Sequence, residues 1–151
     1  MDQDAYHKTY NEMNERYCLY EKGVLASECH CSQSERFYLA ERVGVHCKSD
    51  DAQQGCREFL ELLRHHARFT LKSSDELSAL PHGKAMRIQI GGLKGLYTTL
   101  NGSDALPSSI EDVHGLINLA IEMFDSLDKI PFQDVIKQVA AYEGRKRRSK
   151  R

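Results

Sequence analysis

SDDAQQGCREFLELLRHHARFTL, residues 49–71, carries the clearest helix signal in the first half of the chain. Ser49 suits an N-cap, and Asp50 and Asp51 suit the positive end of a helix dipole. Apolar side chains then recur every three or four residues, at Cys56, Phe59, Leu60, Leu63, Ala67 and Leu71. This period predicts one long amphipathic helix that buries a single face.

Two further helices are predicted near the carboxyl end of the chain. The first follows two pairs with capping-box spacing, Ser108 with Glu111 and Ser109 with Asp112. Its apolar stripe runs through Val113, Leu116, Ile117, Ala120, Ile121, Phe124 and Leu127. Pro131 marks the start of the second, where its missing N–H is harmless. The short connection predicts an antiparallel pair.

The remaining segments give weaker patterns. Residues 3–17 predict an amphipathic helix, residues 23–26 a short strand, and Ser34 caps a predicted helix over 35–43. A turn or short helix is expected over 74–80, and a helix is favoured over 82–102. The glycine-rich stretch from Gly91 to Leu96 lacks the spacing of a phosphate-binding loop, so we interpret its glycines as points of close helix packing.

These segments predict a mainly α protein with a loop-rich amino-terminal half. The length of 151 residues favours a single small helical domain, and no repeat or Pro-rich linker divides the chain. We expect that domain to span 1–144, with a cysteine-bearing region over 18–56 and a helical packing region over 57–144. A basic tail, 145–151, follows it.

All five cysteines lie within the 39 residues from Cys18 to Cys56. The others are Cys29, Cys31 and Cys47. Clustered thiols in a reducing compartment favour metal or redox chemistry over disulfides. Four thiolates could surround one metal centre, and the favoured set is Cys18, Cys29, Cys31 and Cys47. Cys56 is the reserve ligand because it falls in the apolar stripe of the long helix.

The type of metal centre is less clearly indicated than its ligands. Zinc modules usually contain CxxC pairs, and this chain has none. A Cys-x-Cys pair with two distant cysteines suits an iron–sulfur cluster better, because each iron needs its own thiolate. Zinc remains an alternative cofactor. A protein whose cysteines bind no metal is another alternative. A thiol enzyme that uses Cys29 and Cys31 is a further alternative, although the sequence favours a non-enzymatic role.

Histidines add little to this site. His30 and His46 flank the proposed ligands and are weak candidates for direct ligation or for hydrogen bonds to a ligating sulfur. No HExxH pair indicates a catalytic zinc, and no GxSxG indicates a serine nucleophile. We therefore name no catalytic residue.

Charge is distributed unevenly along the chain. The net charge is −1, but six of the 21 basic residues lie in the tail, which leaves 15 basic against 22 acidic residues over 1–144. Nucleic acid could therefore bind only through that tail. Its basic residues are Arg145, Lys146, Arg147, Arg148, Lys150 and Arg151.

The favoured function is a cysteine-ligated metal-binding protein, with an iron–sulfur centre ahead of a structural zinc site. It would act in electron transfer, redox sensing or assembly with a partner protein. The alternative is a metal-free helical adaptor that binds nucleic acid or an acidic partner through the basic tail. The polar amino terminus and the absence of a long apolar run predict a cytoplasmic protein without membrane contact.

Overall fold

The computed structural model describes residues 3–71, 80–102 and 105–143. Its helices are α1 (Gln3–Met13), α2 (Glu21–Leu25), α3 (Asp50–Leu71), α4 (His82–Met86), α5 (Gly92–Asn101), α6 (Val113–Phe124) and α7 (Phe132–Ala141). A π-helical turn, Arg87–Gly91, joins α4 to α5, and a 3-10 turn, Leu127–Lys129, precedes α7. Strands β1 (Ser34–Leu39) and β2 (Arg42–Cys47) form the one sheet found in this part of the chain. The predicted mainly α class is confirmed. The basic tail and residues 74–79 lie outside the described residues.

Helix α3 forms the centre of the core, as its period predicts. The Ser49 hydroxyl accepts a hydrogen bond from the N–H of Ala52 at 3.2 Å, which confirms the predicted N-cap. One face of the helix is buried, at Ala52, Cys56, Phe59, Leu63, Ala67 and Leu71. The helix contacts α6, α7, the π-helical turn and strand β2. The helix therefore joins the two halves of the molecule.

The predicted helix over 35–43 is wrong, because these residues form most of a β-hairpin. Strands β1 and β2 pair antiparallel in a register that sets Leu39 opposite Arg42 and leaves a two-residue loop. Val45 and Cys47 are buried two positions apart in β2, a spacing that puts both side chains on one face only in a strand. Phe37 lies opposite Gly44, and a Cβ on that glycine would be 2.3 Å from the Phe37 ring. Strand pairing and the packing of Phe37 against Gly44 therefore stabilise the hairpin. Neither can be recognised from a search for the three- to four-residue period of a helix.

Several other boundaries differ from the sequence predictions. Residues 23–26, expected as a strand, belong mostly to helix α2. Helix α1 ends at Met13 rather than near residue 17. Helix α6 begins at Val113 with Asp112 as its N-cap, so neither Ser108 nor Ser109 caps it. The same helix ends at Phe124, so its apolar stripe is as predicted up to that residue, and Leu127 lies in the 3-10 turn instead. Helix α7 begins directly after Pro131, as predicted.

A buried polar cluster attaches α1 and α2 to the hairpin. The amide Nδ2 of Asn14 donates to the carbonyl of Val45 and to the hydroxyl of Tyr10, both at 3.0 Å. The Tyr10 hydroxyl donates to the Glu21 carboxylate, which also accepts the N–H of Val45 at 3.1 Å. These bonds hold the segment between α1 and α2 against β2.

The glycines between Gly91 and Leu96 make close helix packing possible, as predicted. A Cβ on Gly95 would lie 2.2 Å from the carbonyl oxygen of Val135 in α7. A Cβ on Gly91 would lie 2.9 Å from the backbone of Gln138 and of Val139 in the same helix. The backbones of α5 and α7 therefore approach more closely than any side chain would allow.

None of the helices within residues 3–71, 80–102 and 105–143 is both long and apolar enough to cross a membrane.

Candidate metal centre

Four of the five cysteines line one small pocket between the amino-terminal half and α3. They are Cys18, Cys31, Cys47 and Cys56, and we call their site the four-cysteine pocket. Its volume is about 20 Å³. The remaining walls come mainly from Tyr17, Tyr20, Ser34, Ala52 and Val113. Tertiary packing thus collects thiols that are separated by up to 38 positions in the sequence.

Cys18 and Cys47 are brought together by backbone pairing. The N–H of Cys18 donates to the carbonyl of Val45 at 3.0 Å, and the N–H of Cys47 donates to the carbonyl of Arg16 at 2.7 Å. Tyr17 forms an antiparallel bridge with His46 between these two bonds. The segment that carries Cys18 therefore runs beside the last residues of β2 like a short third strand.

Cys31 is positioned by a second set of backbone bonds. The N–H of His30 donates to the carbonyl of Ile110 at 2.8 Å, and the N–H of Val113 donates back to the carbonyl of His30 at 2.9 Å. These bonds place Cys31 beside the amino-terminal end of α6. Cys56 reaches the pocket from the second turn of α3, where it is part of the buried face.

Backbone N–H groups point at two of the sulfur atoms. The Cys31 Sγ accepts the N–H of Gln33 at 3.5 Å, and the N–H of His114 in the first turn of α6 also lowers the pKa of this thiol. The N–H of Tyr20 lowers the pKa of the Cys18 thiol. Such bonds favour a thiolate over a neutral thiol, and they commonly support sulfur ligands in metal sites.

Burial opposes ionisation of the same thiols when no metal is bound. Burial raises the pKa of Cys18 to about 12, although the N–H of Tyr20 lowers it in part. Burial likewise raises the pKa values of Cys31 and Cys56, and the neighbouring thiols add to both shifts. These groups are therefore neutral at pH 7, whereas an activated nucleophile needs a lowered thiol pKa. A metal ion would have to displace their protons in order to bind.

The thiols share a pocket but are not arranged as a finished coordination shell. Within the described residues, no three His, Cys, Asp or Glu side chains are placed to hold one metal ion. A cysteine side chain has a single rotatable bond that moves its sulfur, so χ1 rotation is the smallest change that could bring the sulfurs together. Cysteine sulfurs are suitable donors for a thiophilic ion. The backbone hydrogen bonds of Cys18, Cys47 and His30 already hold the segments that carry three of these sulfurs in place.

The other predicted site residues lie elsewhere. Cys29 is fully buried in the core, and its Sγ would be 2.9 Å from a Cβ on Gly23. His30 is exposed, and His46 faces Glu35 on the sheet at 3.5 Å. None of the three lines the four-cysteine pocket. Cys56, the reserve ligand, therefore lines this pocket in the structure, whereas Cys29 of the favoured set does not.

Two residues near the pocket carry no signal in the sequence that would identify them. Tyr20 is one of several tyrosines in the amino-terminal half, but it is almost fully buried and lines the four-cysteine pocket. Asp112 resembles an ordinary helix cap, yet its carboxylate accepts both the N–H and the hydroxyl of Ser32, at 2.9 and 3.1 Å. It thereby ties the residue after Cys31 to the start of α6.

We expect Asp112→Ala to lower the free energy of unfolding by about 1–2 kcal/mol at pH 7 through loss of these bonds. Burial alone would raise the pKa of Asp112, but the hydrogen bonds from Ser32 and from the N–H of Gly115 together outweigh it and lower the pKa below its usual 3.8. A lowered pKa stabilises the fold above the unfolded-state pKa, and this contribution is lost as the pH falls through the folded-state value. Thermal unfolding between pH 7 and 3 should therefore show the difference from wild type shrinking below about pH 4. Glu111→Ala, at the exposed neighbour, is the control, and equal effects of the two variants would contradict the prediction.

Comparison with known proteins adds no further assignment. No family model, no curated protein and no solved structure matches this chain.

Proposed function

We propose that this protein binds a single thiophilic metal ion, Zn²⁺ in the first instance, through the four-cysteine pocket. The observation that carries the proposal is that four cysteines from four separate segments line one pocket. Thiolates are soft ligands, and four of them around one ion are typical of structural zinc sites. The proposed ligands are Cys18, Cys31, Cys47 and Cys56.

The size of the pocket favours one ion over a cluster. A volume of about 20 Å³ holds roughly one water-sized sphere. A single zinc ion needs no more room than this. An iron–sulfur cluster adds several iron and sulfide atoms, so the walls would have to move apart to admit it. We therefore place zinc ahead of iron–sulfur, which reverses the order that the cysteine spacing favours.

The role of the ion would be to hold the amino-terminal half against the helical half. Cys18 and Cys31 lie on loops, Cys47 ends β2, and Cys56 belongs to α3. An ion bound to all four would cross-link these segments, and its binding free energy would add to the stability of the fold. This role needs no open coordination position, in agreement with a set of four protein ligands.

The test is the metal content of protein prepared anaerobically, with zinc, iron, copper and acid-labile sulfide measured per chain. We expect about one zinc and no sulfide. Removal of that zinc by a chelator should lower the melting temperature, and stoichiometric zinc should restore it.

Other outcomes of the same assay would overturn this assignment. Iron and sulfide in near-equal amounts, with visible absorption, would replace zinc by an iron–sulfur centre and support electron transfer or redox sensing. A protein that contains no metal and binds neither zinc nor a reconstituted cluster would refute the metal site altogether.

A further inference from the structure

Helix α5, helix α6 and the segment before α6 form an open groove with a largely apolar lining. Its volume is about 310 Å³. Tyr97 of α5 lines it, together with Pro107 and Ile110 of the segment before α6. Leu116 and Leu119 line it from α6. The groove shares no lining residue with the four-cysteine pocket and is a separate feature of the surface.

The apolar surface continues beyond the groove along α6. Leu119 is 45% exposed, and Met123, one turn later on the same face, is 53% exposed. Leu106, next to Pro107 in the chain, is 51% exposed. A single exposed apolar side chain is ordinary, but a groove continued by exposed apolar side chains is typical of a surface that another molecule covers.

The same part of the chain is acidic. Residues 105–128 contain no Lys or Arg and five acidic residues, which are Glu111, Asp112, Glu122, Asp125 and Asp128. Glu111 lines the groove, and Glu122 lies three positions after Leu119 in α6, where it is a neighbour on the helix surface. Both are exposed, and neither forms an ion pair within residues 3–71, 80–102 and 105–143. Two carboxylates beside the apolar surface can therefore bind cations of another molecule.

These charges restrict what can cover the groove. They repel the phosphates of a nucleic acid or of an anionic lipid surface. The basic tail of a second copy matches the charge, but residues 145–151 include no apolar side chain that could enter the groove. An amphipathic helix with Lys and Arg beside its apolar stripe meets both requirements, and such helices commonly dock in apolar grooves.

We propose that this surface docks a basic amphipathic helix of another protein. We call it the acidic docking face, and its residues are Leu106, Pro107, Glu111, Leu119, Glu122 and Met123. The apolar stripe of the partner enters the groove and covers Leu119 and Met123. Its Lys and Arg side chains pair with Glu111 and Glu122. This proposal does not depend on the metal site, because the two surfaces have no residue in common.

The test measures the binding of labelled synthetic peptides to the full chain by fluorescence anisotropy, at one fixed zinc concentration. The probe is a peptide of about 14 residues made of Leu and Lys, with Leu at every third or fourth position so that a helix has one apolar stripe. A scrambled peptide of the same composition keeps the charge and loses the stripe. A third peptide has the sequence of residues 145–151 and tests charge alone.

Three variants of the chain locate the binding surface. The first combines Leu119→Gln with Met123→Gln, and the second is Glu122→Gln. Phe69→Gln is the matched control, since Phe69 is 82% exposed on α3 and does not line the groove. Glutamine has nearly the helix propensity of leucine and methionine, so these surface variants should fold, as circular dichroism would show.

We expect the double variant to weaken binding of the amphipathic peptide by about 10-fold, because two half-exposed apolar side chains no longer gain burial. Glu122→Gln should weaken binding by about 2- to 3-fold at low salt and by less at high salt. Phe69→Gln should bind like wild type.

Several outcomes would overturn the acidic docking face. If wild type does not bind the amphipathic peptide, or binds the scrambled one as tightly, the surface does not recognise an amphipathic helix. Equal binding by wild type and the double variant would place the peptide elsewhere. Tighter binding of the tail peptide would replace the partner by a second copy of this chain. Each of these failures is distinct from failure of the metal site, which is judged by zinc content alone.

Discussion

Cys56→Ala is expected to weaken zinc binding by more than about 100-fold, whereas Cys29→Ala should retain about one ion per chain with nearly wild-type affinity. Structural zinc sites are worth roughly 10–16 kcal/mol, so the loss of one of four thiolates removes about 3 kcal/mol or more. Cys56 lines the four-cysteine pocket, and Cys29 packs beside Gly23 in the core. The two variants are well matched, because each removes one sulfur from a buried position.

The measurement is a zinc competition titration on both variants, with circular dichroism to establish that each is folded. Both substitutions should lower the stability of the metal-free protein to a similar, small extent through the loss of buried volume. Only Cys56→Ala should also remove the additional stability that zinc provides. Loss of zinc by Cys29→Ala with full retention by Cys56→Ala would identify the ligand set that the sequence favours, and would reject the one assigned from the pocket.

The difference between those two ligand sets shows what the cysteine spacing can and cannot predict. The confinement of the thiols to 39 residues indicates a shared site, and the structure brings four of them to one pocket. Spacing alone favours Cys29 because it belongs to the Cys-x-Cys pair. The sequence makes Cys56 only a reserve ligand, because a cysteine in the apolar stripe of a helix usually packs in the hydrophobic core. In this fold the buried face of α3 is also a wall of the pocket, so core packing and metal ligation are compatible for Cys56.

The accuracy of the fold prediction varies in a similar way. Helices α3, α6 and α7 are predictable because each has a long period of buried residues. The hairpin is not, since every residue of β1 is exposed or half-buried, and the strand therefore lacks the buried alternate positions that would indicate it. The burial of Tyr20 beside the four-cysteine pocket is likewise a result of tertiary packing. No one-dimensional pattern distinguishes it from the other tyrosines.

Gly95→Ala is expected to lower the free energy of unfolding by about 3 kcal/mol, which corresponds to a fall of roughly 6–12 °C in melting temperature for a domain of this size. The added Cβ would lie 2.2 Å from the carbonyl oxygen of Val135 and 2.9 Å from its carbonyl carbon. Both are backbone atoms of α7, so no side-chain rotation can relieve the contact, and the two helices must move apart. The higher helix propensity of alanine, worth about 1 kcal/mol, is too small to compensate.

Gly83→Ala is the control for this prediction. Gly83 lies in α4, and a Cβ there would meet nothing within 4 Å. That variant should be unchanged or more stable by up to about 1 kcal/mol, since it gains helix propensity without a clash. Urea denaturation followed by circular dichroism, at one fixed zinc concentration, measures both variants. Folded Gly95→Ala should still bind zinc like wild type, because α5 supplies no wall of the four-cysteine pocket. If Gly95→Ala were instead as stable as Gly83→Ala, the close approach of α5 to α7 would be ruled out, and with it the interpretation of the glycine-rich stretch as a packing surface.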